Sequence, residues 1–405
     1  MNTVCVIGAG IVGCATAYQL ARDGVDVLLV DAAPEPATLT SFANGAQLSY
    51  SYVEPFASPA TLRALPKMLL APDSPVRFRP SANPRQWGWG LRFLLACREE
   101  RARAGTATLI ELAGLSRRTL EAWMRDEHWS FLFSTNGKLV LCPDSASLAH
   151  QAHQVGIQAA LGCHQEVLTP ADCRRIEPAL AADDASFVGG IWTADECVAD
   201  PYLLCRELVQ SLRALGGRTL FGQRVETLVR AGGRYVAART AQGDLRADAF
   251  VLATGPQSTR LAASIGLSLP IWPIRGYSLT APFRRAARPR VSVTHLGQKT
   301  VFAPLGEHLR VAAFAEIDGG ALKIPAERIE TMKRNVEALY PGLCDLAAPQ
   351  TWAGLRPATP DSLPIIRRHR ESNLVLNTGH GGLGLTLAAG SARLAADLVQ
   401  RQLTK

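Results

Sequence analysis

The strongest constraint on this chain lies in its first thirty-one residues. Thr3-Val4-Cys5-Val6-Ile7 is a β-branched, apolar run suited to a strand covered on both faces. Gly8-Ala9-Gly10-Ile11-Val12-Gly13 follows at once. Ile11, Ala15, Tyr18 and Leu20 then supply the inward face of a helix that Gly24 ends, and Val27-Leu28-Leu29-Val30 forms a second strand closing on Asp31. The result is a βαβ unit. In such a unit the first glycine permits a tight turn, the second lets a pyrophosphate reach backbone N–H groups at the helix start, and the third lets helix and strand pack closely. Asp31 stands 23 residues beyond Gly8, where an acid accepts ribose hydroxyls. Glycine spacing alone would be weak evidence, but strand, helix, second strand and acid agree, and together they predict dinucleotide binding. Ala32 and Ala33 occupy positions where a 2′-phosphate would call for arginine, which argues against NADP.

With 405 residues the chain has room for two domains, and 47% hydrophobic with 19% charged residues describes a folded chain rather than a disordered one. The net charge of +8 favours anionic ligands or surfaces. Its arginines are dispersed and accompany no aromatic-plus-basic module, so nucleic acid is not the expected partner. Nine cysteines without a C-x-x-C pair predict neither a disulfide framework nor a metal site. The chain shows no basic leader with a cleavable apolar segment and no apolar run of about 18–20 residues, so a cytoplasmic protein is expected. Pro66-Lys67-Met68-Leu69-Leu70 with Arg77 and Arg79 offers a peripheral contact with the inner membrane face, against the commoner reading of a buried helix.

Further along, residues 60–71 and 84–128 read as largely helical, as do 145–162, 201–215, 325–340 and 385–400. Thr135-Asn136-Gly137 between Phe131-Leu132-Phe133 and Lys138-Leu139-Val140-Leu141 predicts a hairpin. Glycine-punctuated strands from 219 to 252 suggest a β-meander on the nucleotide domain, and short strands from 271 to 316 suggest an antiparallel sheet.

Two later segments return to the cofactor. The strand through 245–252 ends in Ala253-Thr254-Gly255, which resembles the ATG motif of two-dinucleotide-fold flavoproteins. Asn377-Thr378-Gly379-His380-Gly381-Gly382-Leu383-Gly384 opens the last helix, whose free N–H groups and positive dipole end suit the negative charge of a reduced flavin. With these, Ser41-Phe42-Ala43-Asn44, Gln86-Trp87-Gly88-Trp89, Pro273 to Thr280 and Trp352 to Asp361 occur in the order found in the FAD-dependent D-amino acid oxidase/glycine oxidase superfamily. The whole chain resembles that superfamily, and bacterial D-amino acid dehydrogenases most within it.

The resemblance implies roles for particular residues. Gly8, Gly10, Ile11, Val12, Gly13, Asp31 and Ala32 would hold the ADP half of FAD, with Val225 meeting adenine through its backbone. Ser41, Ala43, Asn44, Gly45 and Ala46 would line the isoalloxazine ring, together with Ala253, Thr254, Gly255, Gly381, Gly382, Leu383, Gly384, Leu385 and Thr386. Arg356 matches the arginine that grips the substrate carboxylate, an interaction a guanidinium can make bidentately. Tyr52 and Tyr277 each offer a hydroxyl to substrate, an aromatic wall, or simple packing. His380 is expected to shape the flavin loop rather than to act as a base. Gln47 replaces a glutamate frequent in the dehydrogenases, and Arg367 replaces a glycine usual after Pro364-Ile365-Ile366.

The expected fold is therefore α/β, a Rossmann-like FAD domain (1–50, 150–268 and 352–405) with a mainly antiparallel substrate domain (51–149 and 269–351). The expected reaction is oxidative deamination of a D-amino acid by hydride transfer to non-covalent FAD, with electrons passed to a quinone or other carrier. Glycine, sarcosine and proline-type substrates are the alternative, and a non-catalytic flavin-binding protein is the alternative of another class.

Overall fold

Strand Thr3–Ile7 presents apolar side chains to both of its faces, and the first half of the architecture follows from covering them. The computed structural model describes residues 2–70, 76–181, 185–284, 288–319, 322–370 and 372–403, with the side chains of residues 64 and 66–70 outside the description. Thr3–Ile7 pairs in parallel with Asp26–Val30 on one side and Ala249–Leu252 on the other. The full sheet runs Ile365–Arg368, Leu374–Thr378, Ala249–Leu252, Thr3–Ile7, Asp26–Val30, Arg218–Leu220, parallel throughout except at the Ile365–Arg368 edge. Val4, Val6, Val27, Leu29, Val251 and Val375 turn to one core, closed by helices Ile11–Arg22, Glu99–Asp126, Pro201–Ala214 and Gly384–Leu403. Cys5, Ile7, Leu28, Val30, Phe250 and Leu252 turn to a second, closed by the meander Val225–Ala231, Arg234–Thr240, Gly243–Arg246 and the short helix Ser258–Ser264. The period of two is what sends neighbours to opposite cores.

The second sheet has nine strands and is mostly antiparallel. Its order is Gln350–Ala358, Trp272–Pro282, His308–Ile317, Thr300–Leu305, Ser292–His295, Lys138–Cys142, Gly189–Thr193, Glu166–Leu168, with Val76–Phe78 added in parallel beside the end of His308–Ile317. Leu279, Phe302, Leu309, Val311 and Met332 form its own core under helix Ala326–Leu339. The architecture is α/β, a Rossmann-like sheet joined to a mainly antiparallel one.

Three expectations change. Phe131-Leu132-Phe133 makes no hairpin with Lys138–Cys142, which pairs instead with Gly189–Thr193 and Ser292–His295. Gly137 is there for close packing, since a Cβ on it would lie 2.1 Å from the Trp192 ring, and Phe131 joins an aromatic cluster with Trp129 and Phe133. The segment 84–128 is two helices, Pro84–Ala96 and Glu99–Asp126, separated where Arg98 turns extended. The domain limits also shift. Glu166–Leu168, Gly189–Thr193 and Gln350–Ala358 belong to the antiparallel sheet, whereas helix Glu99–Asp126 buries Leu109, Leu112, Leu120 and Trp123 against the parallel one. Backbone pairing and burial decide membership, and neither is local in sequence. All nine cysteines are free and buried.

A Cβ at Gly13 would fall 1.7 Å from the Gly8 carbonyl oxygen. Gly13→Ala must therefore push the first helix off its strand, at about 3 kcal/mol or more. Chemical denaturation, with flavin content of the purified protein, is the check, and the variant is expected to lose both stability and FAD.

Candidate functional site

The carboxyl ends of the parallel strands open into a cavity of about 1370 Å³ that continues beneath the antiparallel sheet. At one end Gly8 takes φ +106°, its N–H donates to Val30 O at 2.8 Å, and a Cβ there would meet Ala253 O at 2.6 Å. Glycine is required by the conformation and by the space. Gly10 caps the helix without a side-chain bond, and Ser41 Oγ accepts from Ile11 N at 3.0 Å. Asp31 Oδ2 accepts from Ala9 N at 2.5 Å and Oδ1 from Ala33 N at 2.7 Å, leaving each oxygen a second acceptor direction. Val225 and Ala32 line the same end, and Gly222 N and Gln223 N bond to the carbonyls of Ala33 and Asp31.

The middle of the cavity is walled by Ser41, Ala43, Asn44, Gly45, Ala46, Ala253, Thr254 and Gly255 on one side and Gly381, Gly382, Leu383, Gly384, Leu385 and Thr386 on the other. Their loops are fastened: Ser278 Oγ donates to Ala43 O at 2.6 Å, Arg310 Nη1 to Asn44 O at 3.4 Å, and Ala46 N to Asn44 Oδ1 at 2.8 Å. Gly379 (φ +81°) and Gly381 (φ +54°) bend the chain into the last helix. Neither helix N-terminus facing the cavity, at Ile11 or at Gly384, has an acidic residue in its first turn. His380 is 3% exposed and burial lowers its pKa to about 3, so the ring is neutral, and its Nε2 has no partner. Gln47 accepts from Thr294 Oγ1 at 3.3 Å while its Nε2 is likewise unpartnered.

Under the antiparallel sheet the cavity meets Arg356. Its guanidinium lies against Gly276 on the neighbouring strand, where a Cβ would be 2.5 Å from Nη2, and Nη1 donates to Phe314 O at 2.7 Å. Phe314 holds φ +69° at an irregularity in which Arg275 pairs with Glu316 but Tyr277 pairs with Ala313. That bulge turns its carbonyl to the arginine, a strained feature of the kind that collects at functional sites. Burial alone acts on the Arg356 pKa, downward, and no described carboxylate pairs with it.

The two tyrosines part company. Tyr277 is 1% exposed and donates its hydroxyl to Glu316 Oε2 at 2.7 Å, inside a buried network with Arg275, Asp318 and Arg328. Tyr52 lines the cavity with a hydroxyl that no described residue bonds, and its ring lies beneath Lys138 Nζ at 4.3 Å. Thus only Tyr52 has a hydroxyl to offer. Of the residues singled out in sequence, Gly13 and Arg367 are not in the cavity wall, and Arg367 is exposed on the edge strand. Phe314, Lys138, Glu54 and His150 also line the cavity and carried no sequence signal.

This geometry defines an α/β dinucleotide-binding enzyme: a glycine cradle beside Asp31, two helix starts without an acid in the first turn, and a guanidinium with no counterion among the described residues share one cavity. The orphaned His380 and Gln47 nitrogens and the open cradle at Gly10 fit FAD. The chain belongs to the family of FAD dependent oxidoreductases, whose pattern matches residues 3–398. It is 42% identical over 412 residues to D-amino acid dehydrogenase 2 of Ralstonia nicotianae, covering 98% of this chain and 96% of that one. It is 44% identical over 403 residues to D-amino acid dehydrogenase 2 of Pseudomonas aeruginosa, covering 98% and 95%. In fold it is similar to glycine oxidase from Geobacillus kaustophilus, at TM-score 0.78 and 19% identity over 99% of this chain and 95% of that one.

Asp31→Ala removes the acceptor of two backbone N–H groups and of the ribose. The variant is expected to hold FAD at least about tenfold more weakly, measured by flavin released on dilution.

Proposed function

We propose that the enzyme oxidises D-amino acids to 2-oxo acids and ammonia and hands the electrons to a membrane quinone. The observation that carries the substrate reading is Arg356, a cation facing the cavity whose only hydrogen-bond partner among the described residues is a backbone carbonyl. A buried guanidinium without a carboxylate is unstable unless a ligand supplies one. A substrate carboxylate does so. Bound FAD supplies the acceptor for the hydride that leaves Cα. Arg356 orients the carboxylate, Tyr52 presents its hydroxyl to the carboxylate or amine, and the fastened loops at Ala43–Ala46 and Gly381–Leu383 shield the reacting carbon from water. The substrate binds with its amine neutral, so loss of hydride from Cα leaves an iminium, and water hydrolyses it to the 2-oxo acid and ammonium. The names of the dehydrogenase relatives support the D-amino acid class.

Helix Pro84–Ala96 supports the membrane reading. Gln86, Trp89, Phe93 and Ala96 bury its inner face, yet Trp87 (54% exposed), Leu91 (60%), Leu94 and Leu95 form a second apolar arc toward solvent. Residues 59–104 carry nine Lys and Arg against three Asp and Glu, which accounts for most of the net charge. An apolar arc flanked by exposed arginines, here Arg85 and Arg92, suits an anionic lipid surface. Trp89 Nε1 donates to Ala358 O on the strand that bears Arg356, so the docking helix would bring the cavity to the bilayer. The stretch Pro66 to Leu70 has side chains outside the described residues. Among the described residues no helix is long and apolar enough to cross a membrane.

Anaerobic mixing with D-amino acids is expected to bleach the flavin, and glycine, sarcosine and proline serve as comparison arms. Bleaching confined to one of those would move the substrate class, and no bleaching by any of them would sink the reading. Arg356→Ala should raise KM about a hundredfold; an unchanged KM rejects the carboxylate role. Vesicles rich in phosphatidylglycerol should sediment the protein while phosphatidylcholine vesicles leave it in solution. Trp87→Ser with Leu91→Ser should weaken that binding about tenfold or more; equal sedimentation of the double variant excludes this helix.

A further inference from the structure

Segment 49–52 carries Tyr52 into the cavity, and it is gripped from two directions. From one, the buried Glu196 carboxylate accepts from Tyr50 N at 3.0 Å, Ser51 N at 2.7 Å and Tyr52 N at 3.1 Å. From the other, Lys138 reaches in from the second sheet. It is 4% exposed, its Nζ donates to Ser49 Oγ at 2.8 Å, and the same ammonium sits 4.3 Å above the centre of the Tyr52 ring. Ser49 N donates in turn to Thr386 Oγ1 in the first turn of the last helix, at 3.1 Å. Lys138 lies on a strand whose five residues are all buried, and the carboxylate that acts on its ammonium is Glu196, behind the same segment.

We propose that Lys138 is a positioning residue for substrate binding, its ammonium fixing the Tyr52 ring and the Ser49–Tyr52 segment so that the phenolic hydroxyl meets the substrate bound at Arg356. The proposal rests on the amino acid oxidation proposed above. Charge is what makes the grip: the cation is attracted to the ring face and its bond to Ser49 is charge-assisted, and a neutral amine loses the first and weakens the second. Burial lowers the Lys138 pKa to about 8, partly opposed by Glu196, which burial raises. The grip is therefore present well below pH 8, half lost near 8 and lost as pH rises further. The other titratable or charged groups facing the segment are Glu54, raised by burial to about 7 and acting on Tyr52 with Cys142, Cys163 beside Ser51, Cys197, Arg117 and Glu121 around Tyr50, and Tyr50 and Tyr52 themselves, whose pKa values burial pushes up. Cys163 is also raised by burial.

The experiment measures KM, kcat and binding of 2-aminoisobutyrate between pH 6 and 10 for the FAD-loaded wild type, Lys138→Met, Lys138→Arg and Glu54→Gln. The 2-aminoisobutyrate has no Cα hydrogen, so the perturbation of the flavin spectrum reports binding without turnover. For the wild type, KM and the dissociation constant should rise about tenfold through pH 8. In Lys138→Met both are expected to be raised at every pH with kcat within about twofold. Lys138→Arg, which stays charged, should bind as the wild type does at pH 7 and lack the rise at 8, while Glu54→Gln keeps that rise. A substrate amine titration would persist in all four proteins and is thereby separated. Should Lys138→Met fail to fold, the flattened profile of Lys138→Arg still decides. Wild-type pH profiles in Lys138→Arg, or unchanged affinity in folded Lys138→Met, overturn the proposal. Failure of any amino acid to reduce the wild-type flavin overturns the underlying activity instead.

Discussion

The contact of Gly13 with Gly8 governs more of this molecule than any other. Helix Ile11–Arg22 can lie on strand Thr3–Ile7 only because neither glycine carries a side chain, and Ala253 presses into the same space from the neighbouring strand. Three chain segments far apart in sequence are thereby held at van der Waals distance, with the helix start aimed at the cavity. The last helix arrives at the same sheet through Leu374–Thr378 and aims its own start at the cavity from the other side. Each helix start contributes partial positive charge from N–H groups outside the helical ladder, and neither carries an acidic residue in its first turn. The fold thus builds an anion-binding cavity out of backbone before any charged side chain is added.

Side-chain charge then distinguishes one end of that cavity from the other. At the end beside the glycine cradle the group supplied is an acid, Asp31, held by two backbone N–H groups. At the far end the groups supplied are Arg356 and Lys138, both pulled down by burial. The antiparallel sheet makes this placement possible. Its strands meet across Gly276, which leaves room for the guanidinium, and Gly354, which leaves room for the Trp352 ring, and the bulge at Phe314 provides a carbonyl that orients the guanidinium. By contrast Arg275, one strand position from Ile274 opposite Arg356, is paired with Glu316 and Asp318. Two arginines close in space have opposite fates because only one was given carboxylates.

The parts legible in sequence are those in which chemistry is local. The glycine cradle, Asp31, the Ala253-Thr254-Gly255 turn and the glycine-rich approach to the last helix each act through neighbouring backbone, so spacing alone revealed them. Arg356 was legible through the segment around it. Tyr52 and Tyr277 were not separable, since what decides them is Glu316 lying 39 positions from Tyr277 and Lys138 lying 86 from Tyr52. The false hairpin at 135–137 has the same origin: an Asn-Gly pair signals a turn, but Trp192 needed a glycine under its ring. Domain membership of Glu99–Asp126 and of Gln350–Ala358 is set by which sheet each one meets, and Phe314 owes its backbone to a register shift that no local residue announces.

The charge balance also acquires a location. Across the described core, buried cations such as Arg275, Arg310 and Arg328 are matched by Glu316, Asp318 and Asp200, so they add nothing to the field outside. The surplus gathers instead around helices Pro59–Leu70 and Pro84–Ala96, beside the exposed arc of Trp87, Leu91, Leu94 and Leu95. Helix Pro84–Ala96 is apolar on two faces and buries only one, a pattern that folding alone does not require. Its inner face bonds through Trp89 to the strand of Arg356, so whatever covers the outer face bears on the substrate end of the cavity. On the proposed membrane docking, an electron carrier dissolved in a bilayer would meet the enzyme beside the strand of Arg356, and the surplus of positive charge would serve the approach to that surface rather than the cofactor.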